Sequence, residues 1–114
     1  MRKIMIVDDS APMREIIRNI ACKDYDLVLE CAGGYDAVAQ FPQFRPDLIL
    51  MDVEMRDMDG FVATSKIIRQ DPAAKIIFVT NHTTPAFEAK AQELHALGFV
   101  SKENLFLLNQ LMHQ

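Results

Sequence analysis

A parallel α/β fold, one sheet with helices on both faces, is what this sequence predicts, and three observations lead there. Short apolar runs alternate with longer segments whose apolar residues recur every three or four positions. The runs show no polar–apolar alternation, which suits strands covered on both faces. They also stop on polar residues, two of them on aspartates. Half of the 114 residues are hydrophobic and a quarter charged, an ordinary balance for one globular domain spanning residues 1–114.

In chain order, Ile4 to Val7 form the first strand, and Asp8-Asp9-Ser10 follows at its carboxyl end. Ser10 is placed to cap a helix beginning at Ala11, with Pro12 in the first turn, where its missing N–H is harmless. Met13, Ile16, Ile17, Ile20 and Ala21 give that helix one buried stripe. Leu27 to Cys31 make a second strand, and the Ala32-Gly33-Gly34 turn leads to a helix around Asp36 to Phe41, with Pro42 and Pro46 bounding a loop. Leu48 to Met51 is the most apolar run and halts at Asp52. The loop to Asp59-Gly60 precedes a helix from Phe61 to Gln70, ended by Asp71-Pro72. Ile76 to Val79 form a fourth strand that stops at Thr80. Thr84-Pro85 opens a helix to about His95. Gly98 to Val100 begin a short fifth strand ending at Lys102, and Asn104 to Met112 read as a final amphipathic helix.

Five strand–helix alternations with right-handed crossovers predict a flavodoxin-like doubly wound five-stranded parallel sheet, order 2-1-3-4-5. Strands one and three are neighbours in that order. Asp8, Asp9 and Asp52 then converge at the carboxyl edge, where open α/β sheets bind ligands. Three adjacent carboxylates stay ionised only near positive charge, and a hard cation with oxygen ligands, Mg²⁺ above all, answers that need. Thr80 adds a hydroxyl and Lys102 an ammonium at the same edge. The set suits phosphoryl transfer onto Asp52 as nucleophile. Taken singly, each residue has an ordinary reading: the aspartates as helix caps, Thr80 as a turn residue, Lys102 as a solvated lysine.

Composition excludes other classes. A net charge of −4 and a pI near 5.2 leave no basic stripe for nucleic acid or an anionic membrane. No apolar run approaches a bilayer span, and MRKIMIVDD meets acids too early for a signal peptide, so the expectation is cytoplasmic. Cys22 and Cys31 lack metal or redox spacing and read as reduced core thiols. His95 and His113 read as solvated, and Met55 and Met58 as loop packing.

KIMIVDDS with Arg14, PDLILMD, Met58-Asp59-Gly60, FVT and GFVSK, with Ala32, Gly34, Asp36 and Ala37, resemble the receiver domain of two-component response regulators along essentially the whole chain. The resemblance implies that Asp52 accepts a phosphoryl group from a phosphohistidine on a sensor histidine kinase or phosphotransfer protein. It implies Mg²⁺, with Mn²⁺ as a substitute, held by Asp9 directly, by Asp8 mainly through water, by Asp52, and by the backbone carbonyl of Glu54. Thr80 and Phe99 would form the switch, though Phe99 reads equally as a core aromatic. Glu54 and His82, two residues beyond Asp52 and Thr80, would set the lifetime of the phosphorylated state, or else are plain surface residues. Output would pass through the fourth helix, fifth strand and last helix, with Phe87, Lys90, Glu93 and Phe106, to a separate output protein, to an output domain missing from this chain, or to a phosphorylation-dependent homodimer.

Four residues depart from the family pattern. Arg56 and Glu103 replace prolines, and a trans Lys102-Glu103 bond is expected. His95 replaces a glycine at the end of the fourth helix, which would displace or extend that end. Asn81, where a small residue is usual, would crowd the entrance. Two other functions compete: a receiver-shaped interaction module independent of phosphate, and a carboxylate-nucleophile phosphatase or flavin carrier on the same fold. Glu54 stands where such a phosphatase has a second Asp, and Asp8-Asp9 would repel a flavin phosphate.

Overall fold

A computed structural model describes residues 2–112. Five strands, β1 (Lys3–Val7), β2 (Leu27–Cys31), β3 (Leu48–Met51), β4 (Ile76–Thr80) and β5 (Gly98–Ser101), form one sheet in the order β2-β1-β3-β4-β5. Every pairing is parallel. The helices are α1 (Ala11–Ala21), α2 (Gly34–Phe44), α3 (Gly60–Gln70), α4 (Pro85–Glu93) and α5 (Leu108–Met112), with a 3₁₀ segment, Lys102–Leu107, before the last. The fold is the flavodoxin-like doubly wound one that the alternation predicts.

The apolar runs are explained by the two cores. Met5, Val7, Ile49, Met51 and Phe78 face α2, α3 and α4, packing on Phe41, Phe61, Ile67 and Ala91. Their neighbours in sequence, Ile4, Ile6, Leu50, Ile77 and Val79, face the other way, onto Ile17 and Ala21 of α1 and Leu108 of α5. A strand with helices on both sides has no wet face, so side-chain alternation puts an apolar residue at every position. Cys31 is buried in the first core and Cys22 half-buried against the second, both as free thiols. Met55 and Met58 pack on the first core, as expected of loop methionines. Among the described residues, no helix is long and apolar enough to cross a membrane.

The structure corrects the sequence reading at three helix ends. Helix α2 runs through Pro42 to Phe44 instead of stopping at Phe41. Phe41 and Phe44 both pack into the core, and Arg45 closes the helix in the left-handed region (φ 52°), its N–H reaching Phe41 O at 2.9 Å. Packing of the two rings outweighs the one backbone bond that proline removes. Helix α4 ends at Glu93, neither displaced nor extended by His95. His95 takes the left-handed position itself (φ 60°), with Ala96 N–H on Ala91 O (3.0 Å) and its own N–H on Gln92 O (3.0 Å). That is a Schellman closure made with a non-glycine residue, at a cost of about 1 kcal/mol.

The third correction concerns Asn104 to Met112, which is not one helix. Asn104 leaves helical geometry (φ −127°, ψ 43°), and regular α-helix starts only at Leu108. Lys102 accordingly opens the 3₁₀ segment and does not end the strand; Ser101 caps the segment by accepting the Glu103 N–H at 3.2 Å. No peptide bond among the described residues is cis, so Lys102-Glu103 is trans as expected. His95 is exposed but off the helix, and His113 lies outside the described residues.

Candidate functional site

The parallel ladder continues one residue past β1 and β3, and this fixes the acids. Asp8 N–H bonds to Cys31 O at 3.1 Å, and Asp52 N–H to Val7 O at 2.9 Å. Both carboxylates are therefore carried on the rigid edge of the sheet. Both are also almost wholly buried, Asp8 at 1% and Asp52 at 4% exposure.

Asp8, Asp9 and Asp52 each offer a carboxylate oxygen, and the three oxygens lie within 4.8 Å of one another. Lys102 reaches in from the start of the 3₁₀ segment, its Nζ 2.8 Å from Asp8 Oδ2 and 3.4 Å from Asp52 Oδ2. Asp8 Oδ1 accepts the Ser10 N–H at 2.8 Å. Arg14 Nη1 donates to the Asp8 carbonyl at 2.7 Å while its Nε holds Glu30 at 3.0 Å, so a β2 acid steadies the chain at Asp8. Asp9 Oδ2 accepts the Arg56 N–H at 3.1 Å and lies 3.5 Å from Arg56 Nε.

Electrostatics follow from burial. Desolvation, then the charge of Asp8, push the Asp52 carboxyl up to about 6, against the pull of Lys102. Burial alone would lower Lys102, but the Asp8 hydrogen bond and the charges of Asp52 and Asp8 outweigh it and hold the ammonium above its ordinary value. The donor set fits a hard divalent cation. It is all oxygen, it carries more negative than positive charge, and Asp8 Oδ2, though 2.8 Å from Lys102, is buried without a well-aligned hydrogen bond.

Thr80 closes β4 fully buried, and its hydroxyl accepts the His82 N–H at 3.5 Å. Phe99, half-buried, is the register partner of Phe78, with ring centroids 6.5 Å apart. Glu54 and His82 meet at the rim, Oε1 to Nε2 at 3.5 Å, both exposed. Asn81 is exposed just past β4. A cleft of about 410 Å³ lined by Asp9, Val53, Glu54, Met55, Arg56 and Asp59 opens beside the acids. A cleft of about 470 Å³, lined by Phe41, Pro42, Arg45, Pro46, Gln70 and Asp71, lies at the strands' amino ends and holds no acid cluster.

Two contributors escaped sequence reasoning. Asp57 caps α2 from across the fold, accepting the N–H groups of Gly34 and Tyr35, each at 3.1 Å. Burial would raise its carboxyl, but the N–H groups of Tyr35 and Gly34 outweigh this and hold it below the ordinary value. The signal was the Gly33-Gly34 pair, which leaves a helix start with no side-chain cap of its own. The second is Gly60, read as a turn signal and as part of the Met58-Asp59-Gly60 resemblance, without the close approach that requires a glycine there. A β-carbon there would stand 2.0 Å from the Asp52 carbonyl oxygen. Gly60→Ala is expected to cost about 1–3 kcal/mol in denaturant unfolding, since backbone must move, and to weaken cation binding by displacing Asp52 and Val53.

Fold and site together define a doubly wound α/β domain whose switch-point edge carries an acid cluster bridged by one lysine. The response regulator receiver domain family matches residues 4–112, and the chain belongs to that family. It is 40% identical over 103 residues to the chemotaxis protein CheY of Listeria monocytogenes, covering 90% of this chain and 87% of that protein. It is 38% identical over 105 residues to protein-glutamate methylesterase/protein-glutamine glutaminase 1 of Methanosarcina mazei, covering 90% of this chain and 29% of that one. The solved chemotaxis protein CheY4 of Vibrio cholerae superposes with a TM-score of 0.88 at 28% identity, over 99% of this chain and 98% of that one.

Proposed function

We propose that this receiver domain is a phosphorylation switch, taking a phosphoryl group onto Asp52 from a phosphohistidine of a sensor kinase or phosphotransfer protein. The observation that carries the reading is the convergence of carboxylate oxygens of Asp8, Asp9 and Asp52 within 4.8 Å, with the Lys102 ammonium against Asp8 and Asp52. A bound Mg²⁺, or Mn²⁺ in its place, would be held by Asp8, Asp9, Asp52 and the Glu54 carbonyl, and would neutralise charge on the transferring phosphoryl oxygens.

The chain's own residues do the rest. Asp52, as the carboxylate, attacks phosphorus through one oxygen. The P–N bond breaks as the P–O bond forms, and the imidazole leaves. Lys102, already 3.4 Å from Asp52, stays as counter-charge to the acyl phosphate, and Thr80 donates its hydroxyl to a phosphoryl oxygen. Drawing Thr80 forward empties space behind it, into which Phe99 turns from its place beside Phe78, a local charge event biasing a two-state packing. The face of α4, β5 and α5, with Leu97 exposed just before β5 and Phe106 exposed in the 3₁₀ segment, then meets an output protein, an output domain or a second copy.

The test is intact-mass spectrometry after incubation with a small acyl-phosphate donor and Mg²⁺. Wild type is expected to gain one phosphoryl group, and Asp52→Asn none. No gain by wild type with Mg²⁺ present would leave a phosphate-independent docking module instead. In the same assay, exchanging Glu54 and His82 for alanine is expected to change the decay rate severalfold, because the two exposed side chains meet two residues beyond Asp52 and Thr80, where they would steer or exclude the hydrolytic water.

A further inference from the structure

Arg56 is the one cation among the described residues that holds Asp9, and it does so twice, through its backbone N–H at 3.1 Å and its Nε at 3.5 Å, both on Oδ2. It stands between the cleft beside Glu54 and a second, about 440 Å³, lined with Asp9 by Gly33, Tyr35 and Asp57. The loop cannot carry it away. Asp57 ties the loop to the start of α2, Asp59 caps α3 with Phe61 N–H at 2.6 Å, and Gly60 N–H closes on Val53 O at 2.8 Å. The backbone is pinned on three sides, and the side chain is 90% exposed.

We propose that Arg56 is an affinity-setting residue, a tethered cation on Asp9 that a divalent ion must displace or share, so that the site is tuned to weaker metal binding than its acids alone would give. This rests on the acid cluster being a metal site. Guanidinium has no neutral form near physiological pH, so Arg56 acts at every working pH and is weakened only by ionic strength. A fixed positive charge in contact with a ligand oxygen opposes a doubly charged ion even where the ion takes the other oxygen of Asp9.

The experiment is calorimetric titration of Mg²⁺ into wild type, Arg56→Gln, Arg56→Lys and Asp9→Asn, at low and at high salt. Arg56→Gln is expected to tighten Mg²⁺ by about threefold to tenfold, the range for an exposed pair plus a nearby charge. Arg56→Lys keeps the charge and stays near wild type, and the gap between wild type and Arg56→Gln narrows at high salt. In an Asp9→Asn background, adding Arg56→Gln is expected to leave the remaining Mg²⁺ affinity unchanged, because the contact through which Arg56 acts is gone. Equal affinities for wild type and Arg56→Gln would overturn the role of Arg56 while leaving the metal site standing. No heat from either protein would overturn the metal site itself. An unchanged unfolding midpoint in Arg56→Gln confirms that the effect is on binding.

Discussion

Asp52→Asn is expected to stabilise the metal-free protein by about 1–3 kcal/mol near neutral pH, even as it removes the acceptor. The carboxyl moves from an ordinary 3.8 to about 6 on folding, through burial first and Asp8 second. Its folded form therefore binds the proton more tightly than the unfolded chain does. The sign follows: this group's contribution is most favourable below about pH 4, is lost as pH rises through about 6, and stays lost above. A side chain 5% exposed leaves little solvent screening to soften the effect. Asparagine keeps the shape and removes the charge, so the variant should lose the part of the stability decline that wild type shows between about pH 4 and 6. Denaturant midpoints measured in a chelator across that range decide it. Parallel curves for the two proteins would mean that Asp52 carries no such strain. Mg²⁺ should also lift the wild-type midpoint more than that of the variant, because the ion relieves the repulsion that asparagine has already removed.

Much of this arrangement was legible in the sequence because it depends on where strands stop. Runs such as LILM and IMIV must be buried on both faces, that burial forces helices to both sides, and parallel topology then brings Asp8, Asp9 and Asp52 to one edge. What could not be read depends on contacts between distant segments. Pro42 inside α2 is tolerated because Phe44 finds a core pocket, a fact about α2's neighbours and not about its own composition. The His95 closure and the break at Asn104 are decided by where the chain must go next. Asp57 and Arg56 sit in one loop, yet their partners, the start of α2 and Asp9, are on other elements. An acid-rich loop says that caps are available without saying which helix receives them.

The opposite sign is expected when the cation of the cluster is removed. Lys102→Met keeps the length of the side chain and its largely buried stem, so little cavity forms, but Asp8 and Asp52 lose the only cation paired with either among the described residues. Breaking a buried pair from one side costs about 3–5 kcal/mol, because the remaining charges can neither hydrate nor pair. That loss should be largest in metal-free protein at neutral pH, where Lys102 is charged and Asp52 mostly ionised. It should shrink at about pH 5, where Asp52 takes a proton and one charge vanishes, and shrink again in Mg²⁺, which supplies the missing positive charge. Adding Asp52→Asn to Lys102→Met should recover much of the loss, since one uncompensated carboxylate is cheaper to bury than two. The double-mutant cycle measures that coupling directly. A Lys102→Met cost that is the same at both pH values and in both backgrounds would mean that lysine and aspartate act independently, and the view of the edge as one electrostatic unit, poised for a divalent ion, would not survive it.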